Sequence, residues 1–194
     1  MLKGNFTKKI YFFIGTTTEL IKLSPIIAEL EKRKVDFKII TSGQTDVNFS
    51  ELSFLIKKKS ADISLGSKGR RSSLSLFAWW FVKTLLKTPT LRTEFSRLNK
   101  NNSYFIVHGD PVSALIGALI AKIYNLKLVH IESGLRSFNF LEPFPEEICR
   151  SIISRFADIH FCPNEWSVKN LKNVGGQKVN TFENTQFEAY LSAA

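Results

Sequence analysis

Short apolar runs alternating with helical patterns predict an α/β fold: a Rossmann-like parallel sheet with helices on both faces. Three observations carry this. Five runs, KIYFFIG (9–15), VDFKIIT (35–41), YFIVHGD (104–110), KLVHIES (127–133) and DIHFCPN (158–164), are short, apolar and mostly end in polar residues or glycine. The segments between them repeat apolar residues at helical spacing. Polar clusters directly follow three of the strands, where open parallel sheets bind ligands.

In chain order, 9–15 is a strand closed by Gly15. Residues 19–34 form a helix with Leu20, Leu23, Ile26, Ile27 and Leu30 on one face. After the strand at 35–41, a long, mostly helical stretch covers about 72–99. The strand at 104–110 runs into a helix at 111–125 with Pro111 in its first turn. The strand at 127–133 precedes a helix at 145–157, and the strand at 158–164 a helix at 165–175 that glycine closes. Crossovers between such strands are right-handed. There are no internal repeats.

The chain has 194 residues, room for one compact domain, with 44% hydrophobic and 23% charged residues. No run approaches the ~18 apolar residues of a membrane span; the longest, Val112–Ile120, is stopped by Lys122. The N-terminus lacks a secretory pattern, so a cytoplasmic location is expected. Cys149 and Cys162 share no metal spacing with the three histidines and are expected to be buried free thiols, with no metal site. The net charge of +10 is regional: residues 57–100 hold eleven Lys/Arg against two acids. Such a patch concerns a surface or partner rather than the fold.

Each polar cluster admits two readings. In GTTTE (15–19), Thr16 and Glu19 make a capping box, or Gly15 and Thr16 offer backbone N–H groups to a phosphate or sugar. In VHGDP (107–111), Asp110 is an N-cap or a carboxylate aimed into the crevice. In HIESGLRS (130–137), Glu132 follows apolar strand residues and is expected to be partly buried, which requires a partner or a raised pKa. Arg136 is either that partner or a ligand for a phosphate or sugar hydroxyl. In LEPFPEEICR (141–150), Glu146 and Glu147 suit the helix dipole but point in different directions, and Arg150 lies four residues after Glu146 on the same face.

Taken together, VHGD, HIESGLRS, PFPEEICR and ADIHFCPNE, with GT after the first strand and IKLSP in the first helix, resemble the non-hydrolysing UDP-N-acetylglucosamine 2-epimerases. ENTQFEAY (183–190) resembles the family's GNT segment, which leads toward a second domain. The resemblance runs from about 9 to 191 and covers the N-terminal half of such an enzyme. It implies one half of a glycosyltransferase-B-type fold, residues 1–182 being the N-terminal domain and 183–194 the start of an interdomain linker. It also implies interconversion of UDP-GlcNAc and UDP-ManNAc, through elimination and re-addition of UDP, for surface polysaccharide synthesis. By the same resemblance Asp110, Glu132 and Glu146 match the catalytic acids. Lys22 matches a lysine near the nucleotide, and Arg136 and Arg150 match basic positions of those motifs. Gly15, Thr16 and Gln44 complete the expected substrate-binding set. No cofactor or metal is implied.

Three positions depart from the family pattern: GTTTE stands for GTRPE, Gln44-Thr45 for QH, and Glu183-Asn184-Thr185 for GNT. Thr17 thus replaces an arginine expected to touch the nucleotide, and the histidine associated with an activating second UDP-GlcNAc is missing. Little or no turnover is expected of this half alone. The alternative is a non-catalytic or split Rossmann-like subunit that docks a glycosyltransferase partner or the membrane. The basic aromatic segment 69–92 carries Leu74, Phe77, Phe81 and Leu85 at helical spacing, with Trp79 and Trp80 widening the face. It reads as a core and homodimer helix, or as weak contact with anionic lipid. No nucleic-acid module is present.

Overall fold

The computed structural model describes residues 9–66, 74–96, 98 and 102–193. Seven parallel strands form one sheet in the order β3-β2-β1-β4-β5-β6-β7. They are β1 (Ile10–Ile14), β2 (Phe37–Thr41), β3 (Ile63–Ser64), β4 (Tyr104–His108), β5 (Lys127–Ile131), β6 (Ile159–Cys162) and β7 (Gln177–Asn180). The order reverses between β1 and β4, the position where open α/β sheets form their ligand crevice.

The central strands β1, β2, β4 and β5 are largely apolar because both faces are covered. Phe12 and Ile14 face one core with Leu20, Leu23 and Ile27 of α1 (Thr17–Lys32). Tyr11 and Phe13 face the other, where α4 (Val112–Ile123) and α5 (Glu146–Phe156) pack. Period-2 alternation then separates two buried faces rather than core from solvent. Gly117 lets α4 approach β1 and β4 closely, since a Cβ there would lie 2.7 Å from Val107 and 2.8 Å from Phe13.

Pro25 lies inside α1 and cannot donate to the Ile21 carbonyl one turn earlier. The Ser24 hydroxyl donates to that carbonyl at 2.7 Å, so the helix continues through the proline.

The long helix expected over 72–99 is divided. α2 runs Leu74–Leu86, a 3-10 turn spans Thr88–Leu91, and α3 is the single turn Arg92–Phe95. Pro89 lacks the N–H that would continue α2, and the chain tightens around it. Residues 67–73, part of the basic segment, lie outside the described residues. The two tryptophans do not share a face. Trp80 is buried and its indole N–H donates to the Ser42 carbonyl at 3.0 Å, whereas Trp79 is exposed.

Three further elements complete the fold: the short α6 (Glu165–Asn170), the edge strand β7 and α7 (Thr185–Ala193), which packs against α1. Cys149 and Cys162 are free and buried, and burial pushes their thiols up to about 12 and about 11.

Candidate functional site

The turn after β1 is built as a capping box and more. Thr16 caps α1 by accepting the Glu19 N–H at 3.2 Å, and Glu19 Oε2 accepts the Gly15 N–H at 2.8 Å. The same oxygen accepts the hydroxyls of Thr16 and Ser113, each at 3.0 Å, so Glu19 ties this turn to the start of α4. Burial pushes the Glu19 carboxyl up to about 7 against these hydrogen bonds, and its Oε1 has no partner among the described residues. Gly15 is required here, because a Cβ would fall 2.2 Å from that of Ser113. Gln44 Oε1 accepts the Ser113 N–H at 3.0 Å and so satisfies one of the free donors at the start of α4. The sheet therefore brings Gly15, Thr16 and Gln44 together at the crevice, each in a hydrogen-bonded structural setting.

Glu132 sits just past β5 with φ of +61°, a left-handed conformation that few glutamates adopt. Its side chain is 10% exposed. The partner the sequence offered, Arg136, is not the one it takes. Lys22 reaches across from α1 to place Nζ 3.0 Å from Oε2, and Asn184 Nδ2 donates to Oε1 at 2.5 Å. Burial works to raise the Glu132 pKa, but His108, Lys22 and Asn184 outweigh it and hold the carboxyl below its ordinary value. The neighbouring His108 is buried and pulled down to about 4, chiefly by desolvation, so its ring is neutral at pH 7. Its Nε2 lies 3.6 Å from Glu132 Oε2 and has no hydrogen-bond partner among the described residues. Gly109 separates His108 from Asp110 with φ of +64°, a left-handed conformation that favours glycine.

Asp110 is not the N-cap of α4. Pro111 holds that position without a side-chain cap, and the Asp110 carboxylate pairs with Arg150 of α5. Arg150 therefore faces Asp110, with Nη1 also 3.8 Å from Glu147, instead of pairing with Glu146. Arg136 is committed to Glu147, its Nε donating to Oε1 at 2.6 Å. Glu147 also accepts the backbone N–H groups of Ser137 at 3.1 Å and Phe138 at 3.3 Å. These contacts overcome burial, which alone would raise it, and leave the carboxyl below its ordinary value. Glu147 thus holds the loop after β5, while Glu146 is half-buried and makes no ion pair or hydrogen bond among the described residues. The two glutamates do point apart.

Sequence reasoning missed His108 as a contact of Glu132, and Asn184 and Glu19 as site groups. His108 was legible only as the residue before Gly109-Asp110, and Asn184 lies 52 residues from Glu132. Among the described residues no group of three His, Cys, Asp or Glu could hold a metal ion. No helix among them is long and apolar enough to cross a membrane. An apolar groove of about 380 Å³ runs from Glu132 and Asn184 between the sheet, α1 and α7.

A seven-stranded parallel sheet with helices on both faces and polar side chains at its strand ends defines a Rossmann-like α/β domain. The UDP-N-acetylglucosamine 2-epimerase family model matches residues 28–193, and the chain belongs to that family. It is 31% identical over 176 residues to the UDP-N-acetylglucosamine 2-epimerase of Campylobacter jejuni, covering 90% of this chain and 44% of that protein. It is 34% identical to the UDP-2,3-diacetamido-2,3-dideoxy-D-glucuronate 2-epimerase of Pseudomonas aeruginosa, covering 88% of this chain and 46% of that protein. Among solved structures it resembles the Methanocaldococcus jannaschii UDP-GlcNAc 2-epimerase in complex with UDP-GlcNAc and UDP, with a TM-score of 0.77 and 28% identity over 94% of this chain and 48% of that one. The chain spans about half the length of the relatives it matches.

Proposed function

We propose that this chain supplies the acid/base half of a UDP-sugar 2-epimerase, acting on UDP-GlcNAc and UDP-ManNAc for surface polysaccharide synthesis. A carboxylate takes the C2 proton, the C–H electrons form the C1=C2 bond, and the C1–O bond breaks to release UDP. UDP then adds back to C1 of the 2-acetamidoglucal while C2 is protonated from the opposite face. This needs proton-transfer groups on two sides of one carbon. Asp110, Glu132 and Glu146 are the groups assigned to it.

The observation that carries this reading is Glu132, largely shielded at the end of β5, held ionised by Lys22 and Asn184, and set beside a neutral histidine. An ionised, poorly hydrated carboxylate is equipped to accept a proton. Arg150 pairs with the Asp110 carboxylate across the crevice. Arg136 and Arg150 shape the loop and its charge, and Lys22 divides its attraction between Glu132 and a substrate phosphate. Gly15, Thr16 and Gln44 form the wall toward the nucleotide.

The reading includes a partner. Residues 183–194 lead toward a second half, supplied by the same polypeptide or by another, that completes the nucleotide site. The exposed side chains of Phe187 and Tyr190 on α7 suit such a junction. The exposed stripe of Leu76, Trp79, Val82 and Leu86 on α2 suits a homodimer contact better than a lipid surface. The intended compartment is the cytoplasm, where nucleotide sugars are made. Mixing the chain with a family C-terminal half and following UDP-ManNAc formation from UDP-GlcNAc by NMR tests the reading. Turnover that requires both halves is expected; turnover equal to that of the C-terminal half alone would refute it. The split glycosyltransferase subunit remains second, since no feature of the site favours glycosyl transfer over proton transfer.

A further inference from the structure

The chain has three histidines, and His108 lies 3.6 Å from the candidate carboxylate Glu132. His130 and His160 are register partners on β5 and β6, and Ser133 lies between their rings. Ser133 Oγ is 3.0 Å from Nδ1 of His130 and 3.0 Å from Nδ1 of His160. The other nitrogen of each ring faces a backbone carbonyl. His130 Nε2 is 2.7 Å from the Gly109 oxygen, and His160 Nε2 is 3.0 Å from the Gly175 oxygen. All three side chains are buried.

A carbonyl oxygen only accepts, so each Nε2 carries a hydrogen. Four contacts then need four hydrogens, whereas two neutral imidazoles and one hydroxyl carry three. With both rings neutral, each Nδ1 presents a lone pair to Ser133, and the single hydroxyl hydrogen serves one of them. The other contact sets lone pair against lone pair in a buried site, where unsatisfied polar groups are costly.

We propose that His130, Ser133 and His160 form a proton-binding positioning network, completed when one imidazole takes up the fourth hydrogen, that locks the ends of β4, β5 and β6 behind the candidate site. The proton belongs on His160. His130 faces His108, His160 and Glu132 deep in the sheet, and burial holds its pKa down to about 3. His160 faces Lys178 of β7 and Asp158 at the start of β6, and burial leaves it below the ordinary histidine value. Once charged, His160 Nδ1–H donates to Ser133 Oγ, Ser133 donates to His130 Nδ1, and His130 Nε2–H donates to Gly109. That chain ends on the residue before Asp110 and passes through the residue after Glu132. Its effect on catalysis rests on the epimerase reading; the hydrogen count does not.

Both folded-state pKa values lie below those of the unfolded chain, so acidification through the ordinary histidine range destabilises the fold. Uptake of one proton by His160 ends its own share of that loss, while buried His130 and His108 continue to contribute theirs.

The test is histidine-selective ¹⁵N NMR of the 194-residue chain, whose three histidines give a sparse spectrum. At neutral pH both His130 and His160 should be Nε2–H tautomers. On acidification His160 alone should become doubly protonated before the chain unfolds. Ser133→Ala removes the acceptor and should move that uptake about one pH unit to the acid side. His160→Asn places an amide donor near the Nδ1 position, supplies the hydrogen without charge, and should leave His130 neutral with an unchanged tautomer. An Nδ1–H tautomer at either ring at neutral pH, simultaneous charging of both rings, or no charging before unfolding would each overturn the proposal. If Ser133→Ala does not fold, the wild-type tautomers and His160→Asn still decide it.

Discussion

Glu19 and Glu147 are both buried glutamates, and their surroundings send them in opposite directions. Glu147 has a guanidinium and two backbone N–H groups, and stays ionised. Glu19 has three neutral donors on one oxygen and, among the described residues, none on the other, and rises to about 7. With a folded pKa above the unfolded one, Glu19 favours the fold most in acid, and that contribution is lost as pH rises from about 4.5 to about 7. Glu19→Gln should abolish this pH slope, about 3 kcal/mol of stability between pH 5 and 8 at most; urea melts at the two pH values measure it. Glu147 has the depressed value, so its contribution is present at neutral pH and lost in acid. Glu147→Gln leaves the largely shielded Arg136 without its counter-charge and should cost roughly 3 kcal/mol at pH 7 in the same melts. Neither partner was legible from residue types. Arg136 lies 11 residues from Glu147 and four from Glu132, and local spacing favours the wrong pair.

At the scale of elements, the site depends on how closely the β1–α1 turn meets the start of α4. Gly15, Ser113, Gln44 and Glu19 share that junction. Gly15→Ala forces a methyl into Ser113 and should destabilise the chain by about 2 kcal/mol, as overpacking does; the midpoint of thermal unfolding reports it. The strongly apolar strands and the periodic helices α1, α4 and α5 were readable because burial on both faces leaves a continuous pattern. β7 was not, because QKVN is polar and lies at the sheet edge. The division of α2 from α3 was available in Pro89 but was outweighed by the apolar periodicity around it.

For the whole molecule, the strand order places its reversal between β1 and β4; Asp110 follows β4, Glu132 follows the next strand β5, and Glu146 opens α5. The order of motifs made the strand ends that carry Asp110 and Glu132 legible. The ion pairs were not, since Lys22 and Glu132 are 110 residues apart and meet only through the completed sheet. One wall of a cleft cannot by itself exclude water from a reacting sugar. The chain alone should therefore show no more than trace conversion of UDP-GlcNAc.

The most direct measurement is solvent exchange at C2 of UDP-GlcNAc in D2O, followed by proton NMR, with the chain paired to a family C-terminal half. The account predicts deuterium at C2 with wild-type chain, and loss of at least ~100-fold in exchange rate with Glu132→Gln. Exchange undiminished by Glu132→Gln would contradict the assignment of proton transfer to this carboxylate.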